Sequence, residues 1–258
     1  MGGRALSTRA GRPVRGRRPL NVSVVIPLRD EEANVTRLLE EVPASLAGNS
    51  RVDAFEILCV DDGSRDDTLA RLRASQTDHV RVLALDRRRG KEAALVAGID
   101  HASYDVIALL DADLQTTPDD LDLLFERLEA GFDCVNGNRV ERHDTWLKQV
   151  SSRVANAVRR LLLGDSSRDI NCPLKVVRKE CLKTMPRFRA WHRYIPHLAM
   201  LGGYRVTEVP VRHFPRVAGR SKYGVWNRLW IGLQSLAVVW WLTRNWITYD
   251  TEGDDGRR

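Results

Sequence analysis

The sequence predicts an α/β fold with a mostly parallel central sheet and helices on both faces. Three observations carry that expectation. Short β-branched runs recur along the first half of the chain, segments with helical apolar spacing follow them, and the turns between are rich in Gly, Asp and Arg. Such alternation builds βαβ units, whose crossover helices cover both faces of a parallel sheet. In Rossmann-like sheets of this kind ligands bind beyond the carboxyl ends of the strands. The residues that follow each strand are therefore the first candidates for a site.

The elements follow in order. Residues 1–19 read as a flexible basic arm, because Arg4, Arg9, Arg12, Arg15, Arg17 and Arg18 all precede the first acidic residue, Asp30, with little apolar surface to bury. Val22 to Pro27 is a β-branched run suited to a buried strand. From Glu31 to about Leu46, apolar residues at Val35, Leu38, Leu39 and Val42 mark one face of a helix. Phe55 to Val60 is a second strand, halted by Asp61-Asp62-Gly63-Ser64, and Thr68 to Ala74 is helical. Val80 to Leu85 is a third strand and Lys91 to His101 an alanine-rich helix. Val106 to Leu110 is a fourth strand that enters Asp111-Ala112-Asp113. Pro118 to Ala130 is a helix with proline near its start, and Cys134-Val135-Asn136 opens a further strand. Trp146 to Leu163 can form a helix with a basic face of Lys148, Arg153, Arg159 and Arg160, and Tyr204 to Val211 alternates like a strand.

Residues 225–247 carry Trp226, Leu229, Trp230, Leu233, Leu236, Ala237, Trp240 and Trp241 at helical spacing, followed by a polar tail, 248–258. The uncharged stretch between Arg228 and Arg244 is fifteen residues, short of the roughly 20 a spanning helix needs. Tryptophans on an apolar helix flanked by arginines suit a helix lying in a membrane interface, with packing on the core or on a second copy as the alternative.

Composition narrows the function classes. Over 258 residues, 43% hydrophobic and 29% charged residues exclude disorder of the whole chain and suffice for one large domain. The net charge of +7 favours anionic partners. The basic arm lacks interleaved aromatics and no recognition motif is visible, so phosphate-bearing ligands and acidic lipid surfaces are expected, and no nucleic acid. Cys59, Cys134, Cys172 and Cys181 form no CxxC pair and are expected to be buried, reduced thiols. The N-terminal segment lacks the apolar core of a secretory signal, and Gly and Pro interrupt any amphipathic presequence helix there.

Three turns carry the candidate chemistry. Asp111 and Asp113 stand two apart after a buried strand, so alternation lets both carboxylates face one ligand; as hard oxygen donors, with Gln115 nearby, they suit Mg²⁺ or Mn²⁺ bridging a diphosphate. Asp61 and Asp62 can accept hydrogen bonds from a nucleobase or ribose, while Gly63 supplies a positive φ and Asp66 or Asp67 caps the next helix, the structural role falling to Asp67. Arg88-Arg89-Gly90-Lys91 can meet phosphates at a helix N-terminus.

Ile26-Pro27 with Glu31-Glu32, Val60 to Ser64 with Thr68, Gly90 to Leu95, and Asp111 to Gln115 occur in a specific order. So do Gly137-Asn138-Arg139, Lys148 with Ser151-Ser152-Arg153 and Asn156, Asp169 with Cys172-Pro173-Leu174-Lys175, His192-Arg193-Tyr194, Glu208 to Val211, and Gly219 to Gly224. In this the chain resembles the family 2 glycosyltransferases, and within them the polyprenyl-phosphate, dolichol-phosphate mannose synthase-like branch, over about Asn21 to Gly224. The resemblance implies a GT-A domain over residues 20–224 that moves a sugar, with inversion, from a UDP- or GDP-linked donor to a polyprenyl phosphate, using Mg²⁺ or Mn²⁺. Carried onto this chain, Pro27, Leu28, Arg29, Glu31, Asp61, Asp62, Lys91, Asp111, Ala112, Arg216 and Lys222 would bind the nucleotide sugar. Asp111, Asp113 and Gln115 would serve the metal, and Arg139, Lys148, Ser152 and Arg153 the acceptor phosphate. Asp113 and Arg139 are the implied catalytic groups. Asp169 joins them as base if the acceptor is instead a sugar or lipid hydroxyl, which must lose a proton where a lipid phosphate need not.

This chain departs from the family in two places. Arg29-Asp30 stands where the family often has Tyr-Asn, leaving an arginine to stack on the base. Many relatives also end in two long transmembrane helices, where this chain has the short Trp-rich segment. It is therefore expected to be peripheral at the cytoplasmic membrane face, in cell-envelope glycan synthesis, alone, as a homo-oligomer or docked on a membrane-protein partner.

Overall fold

The computed structural model describes residues 19–75, 77–140, 158–164, 167–215 and 225–247. The predicted basic arm (Pro19 apart) and the polar tail lie outside the described residues. Strands β1 (Leu20–Leu28), β2 (Val52–Asp61), β3 (Val80–Ala84), β4 (Val106–Leu109), β5 (Cys134–Arg139), β6 (Lys175–Arg178) and β7 (Val206–Val211) form a seven-stranded sheet in the order β3-β2-β1-β4-β6-β5-β7. β1 pairs in parallel with β2 and β4, β2 with β3, and β5 with β7, while β6 runs antiparallel to β4 and β5. The sheet is the mostly parallel one expected. Because β6 is antiparallel to both neighbours, β4 and β5 point the same way, and β6 starts at the edge where they end.

Alternation along the strands explains the two-sided packing. Val22, Val24 and Ile26 of β1, Ile57 and Cys59 of β2 and Ala108 of β4 join one core with α1 (Glu32–Ala47), α2 (Thr68–Ala74) and α4 (Leu121–Glu129). Val25, Leu58 and Ile107 point the other way, into a second core with α3 (Lys91–His101), α5 (Lys179–Lys183), α6 (Ile195–Leu201) and α7 (Val225–Asn245). α2 and α3 have the predicted limits. The predicted 118–130 helix instead opens with a 3₁₀ turn, Pro118–Asp120, at which the Thr117 hydroxyl accepts from the Asp119 N–H at 3.4 Å. All four cysteines are free and buried; burial pushes the Cys59 and Cys134 thiols up to about 12 and Cys172 up to about 11.

Two expectations change in the second half. Of the predicted 146–163 helix, 158–163 are helical and 146–157 lie outside the described residues. Arg159 does not belong to an exposed basic face: it is buried, and its guanidinium donates to the Ser167 carbonyl. Arg159 and Leu163, four apart, turn inward together, which leaves Leu161 and Leu162 exposed. In α7 core packing and exposure coexist. Ile231, Ser235 and Val239 are buried at spacings of four, while Trp230, Leu233 and Trp241 are exposed. Tyr194 Oη lies 3.4 Å from Ser235 Oγ, and His197 Nε2 lies 2.9 Å from Thr243 Oγ1, fastening α7 to the domain. Among the described residues no helix is long and apolar enough to cross a membrane.

Candidate functional site

The carboxyl ends of β1, β2, β4 and β5 share one edge of the sheet, and the first residue of β6, Lys175, lies there too. At the β1 end the chain leaves Pro27 and Leu28 through Arg29 and Asp30. The Asp30 N–H donates to Ser64 Oγ (2.9 Å), its carboxylate accepts from the Arg65 N–H (2.8 Å), and the Glu31 N–H donates to Thr68 Oγ1 (2.8 Å). The first turn is thus bolted to the second. Arg29 Nε lies 3.3 Å from the Asp30 carboxylate.

Asp61 and Asp62 are both buried, and both hold loops as well as facing the rim. The Asp61 carboxylate accepts from the Ser64 hydroxyl and N–H; that of Asp62 accepts from the Arg89 N–H at 2.6 Å and the Gly90 N–H at 2.9 Å. A carboxylate has about four acceptor positions, so both retain capacity for a ligand. Gly63, which follows them, has φ +65°, and a Cβ there would stand 2.7 Å from the Arg88 nitrogen. The cap of α2 falls to Asp66, which accepts from the Thr68 N–H (3.1 Å), and not to Asp67, whose side chain makes no cap bond. Asp66 also accepts from the Glu32 N–H at 3.2 Å, so the tie to the first turn decides which aspartate points inward.

After β4 the backbone sorts the metal candidates as alternation predicts. Ala112 and Leu114 are buried, while Asp111, Asp113 and Gln115 are half-buried at the opening. Leu114 adopts a left-handed φ of 48°, after which the Gln115 N–H reaches Asp113 Oδ1 at 3.3 Å. Lys91, at the first turn of α3, puts its ammonium 2.5 Å from Asp111 Oδ1. The loop presents carboxylate oxygens, one of them paired with the Lys91 ammonium; hard oxygen donors are the type that suits Mg²⁺ or Mn²⁺. Among the described residues no three His, Cys, Asp or Glu side chains cluster at metal spacing. An ion here would take two carboxylates from the loop and need further oxygens from elsewhere. A cavity of about 510 Å³ borders this loop, lined by Leu114, Thr117, Phe214 and Arg37 but by neither aspartate.

At the end of β5, Arg139 meets Asp169 with two parallel bonds, Nε to Oδ2 at 2.7 Å and Nη2 to Oδ1 at 3.0 Å. The Asp169 side chain is 1% exposed. Lys148, Ser152, Arg153, Arg216 and Lys222 lie outside the described residues.

Several neighbours had no role in the sequence reading. The Phe214 N–H donates to the Gln115 carbonyl at 2.8 Å, bringing the segment after β7 against the metal loop. Glu92, beside Lys91, accepts from the N–H of Ala190, a residue at φ 66°, and its carboxylate lies 3.8 Å from His192 Nδ1. Burial, reinforced by the charges of Lys91, Arg193 and Lys175, pushes the His192 imidazole well below its usual range. Lys175 and Asn136, both buried, and the half-buried Glu208 form a linked polar group. Lys175 and Glu208 stand within motifs of the family resemblance, which gave them no role of their own.

Comparison with known proteins bears on family and fold. The model of glycosyl transferase family 2 matches residues 23–185, more than half of the chain. An undecaprenyl-phosphate 4-deoxy-4-formamido-L-arabinose transferase of Edwardsiella ictaluri is 37% identical over 207 residues, which cover 79% of this chain and 63% of that protein. The protein of the same name from Salmonella paratyphi A is 37% identical over 205 residues, 78% of this chain and 62% of that one. The chain thus spans somewhat under two thirds of the length of these relatives. Among solved structures, glucosyl-3-phosphoglycerate synthase from Mycobacterium tuberculosis in complex with Mn²⁺ and UDP-glucose superposes with a TM-score of 0.64 at 22% identity, over 90% of this chain and 81% of that one. Its complex with phosphoglyceric acid gives 0.64 at 23% identity, over 90% and 82%. These likenesses are of fold, and the fold is GT-A. On the family match, the chain belongs to glycosyl transferase family 2.

Proposed function

We propose that this chain transfers a glycosyl group, with inversion, from a nucleotide-diphospho-sugar to a polyprenyl phosphate at a membrane surface. The observation that carries the reading is the state of Asp169. Its buried carboxylate is engaged by the Arg139 guanidinium through both oxygens. A carboxylate held this way is a poor general base. An acceptor hydroxyl needs a base, whereas a phosphate monoester is already anionic near neutral pH. The names of the relatives, which specify undecaprenyl phosphate, support the same acceptor class.

In this reading a phosphate oxygen of the acceptor attacks the anomeric carbon. The bond from that carbon to the donor diphosphate breaks, the nucleoside diphosphate leaves with the electron pair, and no proton moves. The obstacle is repulsion between two phosphate groups. Arg139 stands between them as a fixed cation, and Lys148, Ser152 and Arg153 hold the acceptor phosphate. Asp111, Asp113 and Gln115 would hold Mg²⁺ or Mn²⁺, which supplies charge neutralisation on the leaving diphosphate. Pro27, Leu28, Arg29, Glu31, Asp61 and Asp62 line the nucleoside end, Ala112 packs beneath the diphosphate, and Lys91, Arg216 and Lys222 face its charge. The exposed Trp230, Leu233 and Trp241 of α7 give the domain an apolar surface suited to a lipid interface on the cytoplasmic side. The same surface would seat a membrane-protein partner or a second copy.

The test is to incubate the protein with undecaprenyl phosphate and labelled UDP- and GDP-sugars, with Mg²⁺, Mn²⁺ or EDTA. The expected result is metal-dependent label in the lipid phase. Donor hydrolysis without lipid product would redirect the search to hydroxyl acceptors, and no consumption of any donor would defeat the reading.

A further inference from the structure

Lys175 is the first residue of β6 and is 2% exposed. Its register places it between Leu109 of β4 and Asn136 of β5, two residues before Asp111 on one side and three before Arg139 on the other. Its ammonium donates to Asn136 Oδ1, to the Cys172 carbonyl at 2.7 Å and to the Ile170 carbonyl at 3.3 Å. Asn136, fully buried, donates in turn to the Asp169 carbonyl and to Glu208 Oε1, each at 3.0 Å. Glu208 Oε2 accepts from the Arg168 N–H at 3.0 Å. Gly137 lets the segment approach, since a Cβ there would meet Cys172 Sγ at 2.7 Å and the Leu174 carbonyl at 3.0 Å. The backbone of residues 168–172 is therefore held at Arg168, Asp169, Ile170 and Cys172 by three polar side chains, Lys175 and Asn136 buried and Glu208 half-buried. The one carboxylate on that stretch is the one that grips Arg139.

A lysine buried for stability alone would be paired with a carboxylate, and an apolar side chain of the same size would cost less desolvation. No described carboxylate lies within ion-pair distance of this ammonium, whose partners are neutral oxygens. All three of its bonds end on Asn136 or on the segment that carries Asp169.

We infer that Lys175 is a positioning residue: with Asn136 and Glu208 it fixes the Asp169 segment, and so sets the direction of the Arg139 guanidinium toward the acceptor phosphate. The inference rests on the reading of Arg139 as the group that meets that phosphate. It assigns Lys175 no contact with substrate.

The deciding experiment follows the Arg139 Nε–H resonance in ¹⁵N-labelled protein, assigned by its loss in Arg139→Lys. In Lys175→Met that resonance should shift or exchange with water about ten-fold faster. Affinity for UDP or GDP with Mg²⁺, whichever the wild type binds, should stay within about two-fold. Turnover with undecaprenyl phosphate should fall about thirty-fold, and by under about three-fold when the same change is made in an Asp169→Asn background, since both act through one group. An unmoved resonance, or losses that multiply in the double variant, would overturn the inference. Should Lys175→Met not fold, Glu208→Gln on edge strand β7 tests the same chain of bonds, with a smaller shift of the same resonance expected and no shift counting against it. A wild type that makes no lipid product would defeat the acceptor reading, while the resonance would still decide whether Lys175 sets Arg139.

Discussion

The two halves of the rim are built by different means. On the β1–β4 side, the acidic side chains are held by backbone N–H groups of neighbouring turns: Ser64 on Asp61, Arg89 and Gly90 on Asp62, Arg65 on Asp30, Gln115 on Asp113. On the β5–β7 side, Arg139, Asp169, Lys175, Asn136 and Glu208 are linked by buried or partly buried side-chain bonds between residues 30 to 72 apart in sequence. The first half can release a carboxylate to a ligand without leaving a buried charge alone. The second cannot, because each member would strand its partner in a medium that solvates charge poorly. A donor site that must bind and release a nucleotide suits the first design; a cation that must keep one direction suits the second.

The comparison can be broken in several places. The largest expected effect is on catalysis in the first half: Asp113→Asn should lower turnover about a thousand-fold, through lost charge stabilisation at the metal, with an unchanged thermal melt. A melt that drops with activity would mean that this loop, too, is part of the structural core. In the second half the cost should fall on stability. Arg139→Ala takes the guanidinium away from the buried Asp169 carboxylate and should cost about 3–5 kcal/mol in denaturant unfolding. Lys91→Met breaks an ion pair whose side chains are 34% and 30% exposed, and should cost under about 1 kcal/mol. Equal losses at the two sites would erase the distinction drawn here.

Smaller effects sharpen it. Gly63→Ala forces a side chain into a left-handed turn against the Arg88 backbone and should cost about 1–3 kcal/mol by thermal melting, with weaker nucleotide binding by calorimetry. His192 makes stability depend on pH. The unfolded chain takes up its proton near 6.5, the folded protein only well below that, so the unfolded state holds more protons between the two. Stability should therefore fall as pH drops below about 6.5, and His192→Gln should flatten that slope in denaturant titrations. Smallest of all, Trp230→Ala with Trp241→Ala should change stability by no more than about 0.5 kcal/mol, since both side chains are exposed. The same pair should lose co-sedimentation with anionic vesicles. Retained sedimentation would assign the exposed face of α7 to a protein contact.

The sheet and the donor turns were legible in the sequence because their determinants are local. β1 and β2 show as β-branched runs, and the limits of α2 and α3 follow from residues within or next to them. The spacing of Asp111 and Asp113 alone places both on one side of the chain as it leaves β4. The same local logic failed where two turns meet: Asp66 rather than Asp67 caps α2, because Glu32 also bonds to Asp66. It failed again at Arg159, which reads as part of a basic surface yet turns inward to the Ser167 carbonyl.

By itself, then, the sequence determined the βαβ order and the placing of Asp111 and Asp113 on one side of the chain after β4, since hydrophobic period and turn chemistry act within a few residues. Only the tertiary structure decided that Asp169 is committed to Arg139, that Lys175 stands between β4 and β5, and that α7 packs one face on the domain while presenting another. Those facts depend on β6 running antiparallel between strands distant in sequence, and on charges that find partners only once the sheet has assembled around them.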